Sequence, residues 1–158
     1  MKKAFTLVEI IIVLTVIMIM SVMAVGGTSG ILGNIRFTNA FNKMLLLVQQ
    51  ASNLSINGKN PDIINYSVTI TPGQDIVLKG DSTEIDKITS TDLKEFSIYC
   101  EPNCTVATIS YSNGTAVTDL TCTGIGKVNS LKIGLRKGTT YDKSFQVYKA
   151  GGIIQVSN

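Results

Sequence analysis

The stretch MKKAFTLVEIIIVLTVIMIMSVMAVGG, residues 1–27, decides how the rest of the chain is read. Two lysines, Lys2 and Lys3, precede an apolar run from Phe5 to Val25 whose single ionisable side chain is Glu9. As a helix rising about 1.5 Å per residue, this run spans about 31 Å, the thickness of a hydrocarbon core. The two lysines hold its start on the cytoplasmic side, so the remainder of the chain is expected to be exported. An ordinary secretory signal peptide also begins with basic residues and an apolar stretch, and Val22-Met23-Ala24 offers it a small-residue cut site. Its apolar core, however, is typically only about 7 to 15 residues long. An acid inside a span costs about 2.5–3.5 kcal/mol on insertion scales, so Glu9 calls for a partner. No Lys or Arg lies within the run to supply one. A cut just before Phe5 would create an α-amino cation four residues from Glu9, available in the same chain or from a neighbouring copy.

Lys2-Lys3-Ala4-Phe5-Thr6-Leu7-Val8-Glu9, followed by unbroken Ile, Val, Leu and Met, resembles the class III signal of type IV pilins and type II secretion pseudopilins. The resemblance implies that a prepilin peptidase cuts between Ala4 and Phe5, that the new amine of Phe5 is methylated, and that Glu9 guides docking against the amine of an adjacent subunit. The family's usual residue before the cut is Gly; here it is Ala4. A single-pass cytoplasmic membrane protein is then expected before assembly, and an extracellular pilus or a periplasmic or cell-wall pseudopilus after it. Implied partners are the membrane, an inner-membrane assembly platform and other pilins, in a homo- or hetero-oligomeric filament.

Beyond the leader (residues 1–4) and the apolar segment (5–25), residues 26–57 read as a glycine-rich break followed by an amphipathic helix. Gly26, Gly27, Gly30 and Gly33 each cost a helix about 0.5–1 kcal/mol relative to Ala, so the stretch is expected to be weakly helical or broken. Phe37, Ala40, Phe41, Met44, Leu47, Val48, Ala51 and Leu54 then recur at helical spacing. Asn57-Gly58 supplies a C-cap. Residues 58–158 form a β-rich head, with strands expected at 64–71, 75–79, 94–100, 105–111, 115–122, 128–136, 144–149 and 153–156. Pro72-Gly73 signals a type II turn, and Asn113-Gly114 and Ala150-Gly151-Gly152 signal hairpins. The expected fold is α+β and pilin-like: a long N-terminal helix, transmembrane and then amphipathic, packed on an antiparallel sheet. The head also weakly resembles the H-type pseudopilins and related minor pilins, some of which bind DNA through a Gly-Arg motif near the end. Here that position reads Gly152-Ile153-Ile154, without Arg.

Cys100, Cys104 and Cys122 all fall in the exported part, where disulfides form if the compartment is oxidising. A three-residue loop Ser112-Asn113-Gly114 would set Cys104 opposite Cys122 and Val106 opposite Leu120; a two-residue Asn-Gly loop would put Thr105 there instead. Cys104–Cys122 is the favoured bridge, with Cys100 the rival partner of either. Cys100 and Cys104 lack the further Cys or His ligands that a zinc site needs.

The composition, 44% apolar and 16% charged over 158 residues, suits one globular domain. The absence of His removes the commonest general base, and no phosphate loop or Gly-x-Ser-x-Gly elbow appears, so neither an enzyme nor a cofactor is expected. The formal charge of +3 falls to +1 once Lys2 and Lys3 leave with the leader. It is also unevenly placed, with eight acids against four lysines from Gly58 to Glu101. Six bases, Lys127, Lys132, Arg136, Lys137, Lys143 and Lys149, then stand against Asp142 alone. That gives a mixed solvated surface, complementary faces between stacked subunits, or a patch for DNA. The leading reading is a structural filament subunit; the alternatives are a DNA-binding minor pilin for uptake and a secreted domain with an ordinary signal peptide.

Overall fold

The computed structural model describes residues 6–26, 28–58, 62–112, 114, 119–150 and 152–157, with backbone alone at 23–26, 28, 29 and 154–157. The chain divides into two compact units, residues 1–36 and 37–158.

In the first unit, helix α1 runs Leu7–Gly26. Thr6 caps it: its Oγ1 accepts from the Glu9 N–H at 3.3 Å, which satisfies one of the orphan donors of the first turn. Thr15 Oγ1 donates to the Ile12 carbonyl at 2.8 Å and Ser21 Oγ to the Ile17 carbonyl at 2.7 Å, so both hydroxyls bond within the helix itself. Over the described residues no helix is long and apolar enough to cross a membrane. The described side chains of α1 stop at Val22, whereas the apolar run in the sequence continues to Val25.

Helix α2 runs Thr28–Asn57, and its residues from Phe37 onward belong to the second unit. Gly26 closes α1 and Gly30 and Gly33 lie inside α2, so the backbone is helical at these three positions rather than broken. Gly27 lies outside the described residues. The helix ends as expected: Gly58 takes φ 54° and its N–H donates to the Leu54 carbonyl at 3.2 Å.

The face anticipated from periodicity is the one buried. Phe37, Ala40, Phe41, Met44, Leu47, Val48 and Ala51 all sit in the core, and Leu54 packs at its margin. Full burial of each of the larger side chains contributes about 1.5–3 kcal/mol. This face packs on two antiparallel sheets, where the strand pattern had implied one. The first has six strands in the order β3-β2-β1-β5-β6-β7, and the second has four, β10-β9-β8-β4. Their ranges are β1 Asn65–Ile70, β2 Ile76–Gly80, β3 Thr83–Ile88, β4 Ser97–Glu101, β5 Ala107–Ser112, β6 Asp119–Cys122, β7 Gly126–Val128, β8 Ser130–Lys137, β9 Tyr141–Tyr148 and β10 Ile153–Ser157. On the four-stranded sheet, the Phe41 ring meets Phe145 of β9 edge-on at 6.0 Å. On the six-stranded sheet, the buried Tyr111 hydroxyl of β5 donates to the Val48 carbonyl at 3.3 Å. The buried Ser55 hydroxyl donates to the Ser112 carbonyl, and the Gly114 N–H to the Ser55 carbonyl at 2.8 Å, which fixes the end of α2 to the end of β5.

Several strand boundaries differ from expectation. β3 was not anticipated: only Ile88 of its six residues is buried, so it carries no alternation. The segment expected as one strand from Val128 to Arg136 is divided at Asn129 between β7 and β8. Residues 94–96 are turn rather than strand, because the Phe96 N–H donates to the Leu93 carbonyl at 2.8 Å. Pro72-Gly73 behaves as read: Gly73 has φ 79° and the Gln74 N–H closes on the Thr71 carbonyl at 3.0 Å. Asn113, residues 115–118 of the expected 115–122 strand, and Gly151 lie outside the described residues.

On the outer face of the four-stranded sheet, Tyr99 of β4 lies across Gly134 of β8 and donates to Asp142 Oδ1 of β9 at 2.8 Å. A Cβ at Gly134 would sit 2.1 Å from the Tyr99 ring, so only glycine lets the tyrosine bridge over the middle strand. Gly134→Ala is therefore expected to lower stability by about 1–3 kcal/mol. Adding Tyr99→Ala should make the two changes non-additive, with less loss than their sum. Urea unfolding of the single and double variants measures this coupling, and strict additivity would refute the close approach.

Candidate functional site

Three sets of residues were singled out by the sequence: the N-terminal signal, the cysteines and the basic segment. Of the signal, Ala4 and Phe5 lie outside the described residues, and Glu9 occupies the first turn of α1. There its charge faces the positive end of the helix dipole. Every described apolar side chain of α1 is exposed, from Leu7 at 76% to Val22 at 70%. Thr15 and Ser21 have bonded their hydroxyls to their own helix. Among the described residues of α1, Glu9 is thus the one polar side chain carrying a charge. Over the described side chains the arrangement is an apolar cylinder with an acid in its first turn.

Of the cysteines, Cys104 and Cys122 are joined, with Cα atoms 5.2 Å apart. The bridge is the favoured one, but the register that suggested it is not the one found. Leu120 faces Ile109 rather than Val106, and Cys122 faces Ala107. Cys104 reaches its partner from the loop before β5, so the crosslink ties a loop to β6 instead of joining two paired strand residues. Cys100 is free and buried on β4, and burial pushes its thiol up to about 11. Among the described residues no cluster of three or more His, Cys, Asp or Glu could hold a metal ion.

The six basic residues do not gather into one patch. Lys127 lies on β7 of the six-stranded sheet, while Lys132, Arg136 and Lys137 are on β8 and Lys143 is on β9 of the other. Five of the six are paired with carboxylates. Lys127 meets Asp119 at 2.8 Å, and Lys149 meets the same residue at 3.8 Å. Lys132 meets Glu101 at 3.2 Å, Arg136 meets Asp142 at 2.8 Å, and Lys137 meets Glu95 at 2.7 Å. Lys143 donates to Thr38 Oγ1 at 3.4 Å and stands 6.0 Å above the Phe41 ring. Two of these pairs, with Glu101 and Glu95, join the acidic segment to the basic one; the other three use Asp119 and Asp142. Arg136 also stacks 4.9 Å from the centroid of the Tyr99 ring, which completes a Tyr99–Arg136–Asp142 cluster. The sequence reading missed it; the glycine in the middle of the strand pattern Lys132-Ile133-Gly134-Leu135 was the available signal.

These contacts set the ionisation of the groups. The hydrogen bond from Lys127 holds the Asp119 carboxyl below its ordinary 3.8. At Asp142, partial burial works to raise the value, and the hydrogen bonds from Arg136 and Tyr99 outweigh it and bring it below 3.8. Burial, then the bond to Asp142, pushes the Tyr99 hydroxyl up.

Comparison with known proteins agrees with this picture. Residues 1–25 match the family model of the prokaryotic N-terminal methylation motif. The fold is similar to that of the type IV minor pilin FimU of Pseudomonas aeruginosa (strain PAO1), with a TM-score of 0.55 and 10% sequence identity over 79% of this chain and 91% of that one. No curated protein sequence matches. The chain thus carries the methylation motif at its start and a pilin fold beyond it, as the resemblance implied.

Because Asp119 and Asp142 have depressed values in the folded head, their contribution to stability is present above the ordinary 3.8 and is lost as pH falls through the lower folded values. Denaturant midpoints should therefore fall below pH 4, and less steeply in Asp142→Asn; an unchanged slope would show that the Asp142 contacts do not form in solution. For Cys100, the native chain should resist maleimide at pH 8 and take up one label on unfolding without reductant. Rapid labelling of the folded chain would refute its burial.

Proposed function

We propose that the chain is a structural subunit of a type IV pilus or type II secretion-like filament, made as a membrane-held precursor and assembled after removal of residues 1–4. The observation that carries this reading is α1 itself. Its apolar side chains are exposed throughout the described stretch, its hydroxyls are bonded internally, and all but its last residue falls within the segment that matches the methylation motif. Such a surface needs an apolar environment, first lipid and then the helices of neighbouring subunits.

Taken over its full backbone of 20 residues, α1 is about 30 Å long, which suits a hydrocarbon core. Lys2 and Lys3 keep the leader cytoplasmic, where the prepilin peptidase acts on the Ala4–Phe5 bond. The peptidase's product has a methylated amine on Phe5 and Glu9 four residues further on. Inside an apolar bundle, an ammonium and a carboxylate attract far more strongly than in water, so the Glu9 of one subunit and the Phe5 amine of another draw the incoming helix into place. The assembly platform and other pilins are the partners this process requires. No catalytic step falls to the chain itself.

The ion pairs on the head favour this structural role over DNA binding. Five of the six bases of the basic segment are already paired with Asp119, Glu101, Asp142 or Glu95, which lowers the charge they present to phosphates. No shift of duplex DNA by the head is expected at low salt.

Two measurements test the proposal. Mass spectrometry of the mature protein should find a chain beginning with N-methylated Phe5; a start near Val25 would identify an ordinary signal peptide and overturn it. Glu9→Ala should insert into membranes normally yet yield at least about ten-fold fewer filaments in the sheared fraction, the cost of one lost ion pair of about 1.4 kcal/mol or more. Filament yield equal to wild type would remove Glu9 from assembly.

A further inference from the structure

Helix α1 starts at a sharply defined point. The Thr6 carbonyl accepts the Glu9 N–H at 3.1 Å and the Ile10 N–H at 3.3 Å, the first bonds of the helix, while Thr6 Oγ1 also accepts the Glu9 N–H at 3.3 Å. Thr6 itself lies outside the helix, which begins at Leu7. Its hydroxyl therefore takes a donor that would otherwise look for a carbonyl one turn further upstream.

Residues 1–5 hold no other stop. Met1, Lys2, Lys3 and Ala4 are all strong helix formers, and no Ser, Asp, Asn, Gly or Pro stands among them. Without the Thr6 hydroxyl, the carbonyls of residues 2–5 would be the natural acceptors for the N–H groups of residues 6–9, and one more turn of helix would form. Unsatisfied N–H groups at the edge of an apolar phase are costly, which drives that extension. Lys2 and Lys3 at the positive end of the dipole oppose it, but weakly where water and salt screen them.

The bond this affects is the one between Ala4 and Phe5. Hydrolysis adds water across it, leaving a carboxylate on Ala4 and the amine on Phe5. A peptide bond inside a helix has its carbonyl and N–H tied to the neighbouring turns, and it is cut only from the fraction of chains in which that turn is open. We propose that Thr6 is a positioning residue for leader removal: its cap ends α1 at Leu7 and so keeps the Ala4–Phe5 bond in non-helical chain, open to the prepilin peptidase. The inference rests on the cleavage reading above and adds to it a residue that acts through the conformation of the bond.

The test follows the full-length precursor in membranes that also contain a prepilin peptidase, with the mature fraction read against time by mass spectrometry. Thr6→Ala should be cut about five-fold more slowly than wild type, the typical effect of a lost cap when cutting tracks the open population. Thr6→Ser keeps a capping hydroxyl and should be cut at the wild-type rate. Ala4→Gly places a helix breaker at the bond itself, so in that background Thr6→Ala should slow cutting by less than about two-fold. A peptidase that reads the Thr6 side chain directly would show the full loss in both backgrounds. That result, or equal rates for Thr6→Ala and wild type, overturns the role of the cap and leaves leader removal intact. A wild-type precursor that is never cut between Ala4 and Phe5 overturns both.

Discussion

One helix face has to fill the gap above two sheets at once, and the rest of the head follows from that. Phe37 and Phe41 meet the four-stranded sheet through Tyr141 and Phe145, while Val48, Ala51 and Ser55 lie towards β5 of the six-stranded one. Neither sheet could be displaced without exposing aromatic surface that the helix now covers, and the helix has no other way to bury its own stripe. The buried polar groups on this seam, Ser55 and Tyr111, are each bonded to a carbonyl, so the junction carries no unpaired donor of theirs to weaken it. The result is a head whose two sheets are aligned by a shared helix, with their strand edges left to face outward.

The surface is organised by a different logic. Along the chain the charges separate into an acidic block and a basic block, which by itself suggests attraction between neighbours. In space the blocks interleave, because β4 pairs with β8 and brings Glu101 opposite Lys132. The charge left unpaired on the surface is therefore smaller and more local than the linear pattern implies. Exposed pairs of this kind add little to stability, yet they decide which surfaces remain charged enough to repel or attract.

How far the sequence could be read depended on whether a feature was local. The α2 stripe, the Gly58 cap and the Pro72-Gly73 turn depend on residues a few positions apart, and all three appear as expected. The pilin-like class was legible from eight residues at the start. Register was not, because it depends on the length of the segment joining β5 and β6; the Cys104–Cys122 bridge was reached through a pairing that does not occur. β3 escaped notice because an edge strand with one buried residue has no alternation to detect. The Tyr99–Gly134–Asp142 bridge and the pairs Lys132–Glu101, Lys137–Glu95 and Lys149–Asp119 join segments as much as 43 residues apart, a relation that no window along the chain displays.

The uniformity of α1 has a further consequence. A helix that is apolar all round, with its hydroxyls turned back onto its own carbonyls, fits against a like helix almost equally well at any offset along their length. Sliding by one turn, about 5.4 Å, exchanges one aliphatic contact for another at little cost. Such a surface supplies adhesion but no ruler. In the proposed filament, Glu9 is the graduation mark: the single point on the rod at which an axial offset matters, and so the residue that converts a slippery bundle into a lattice with a defined rise.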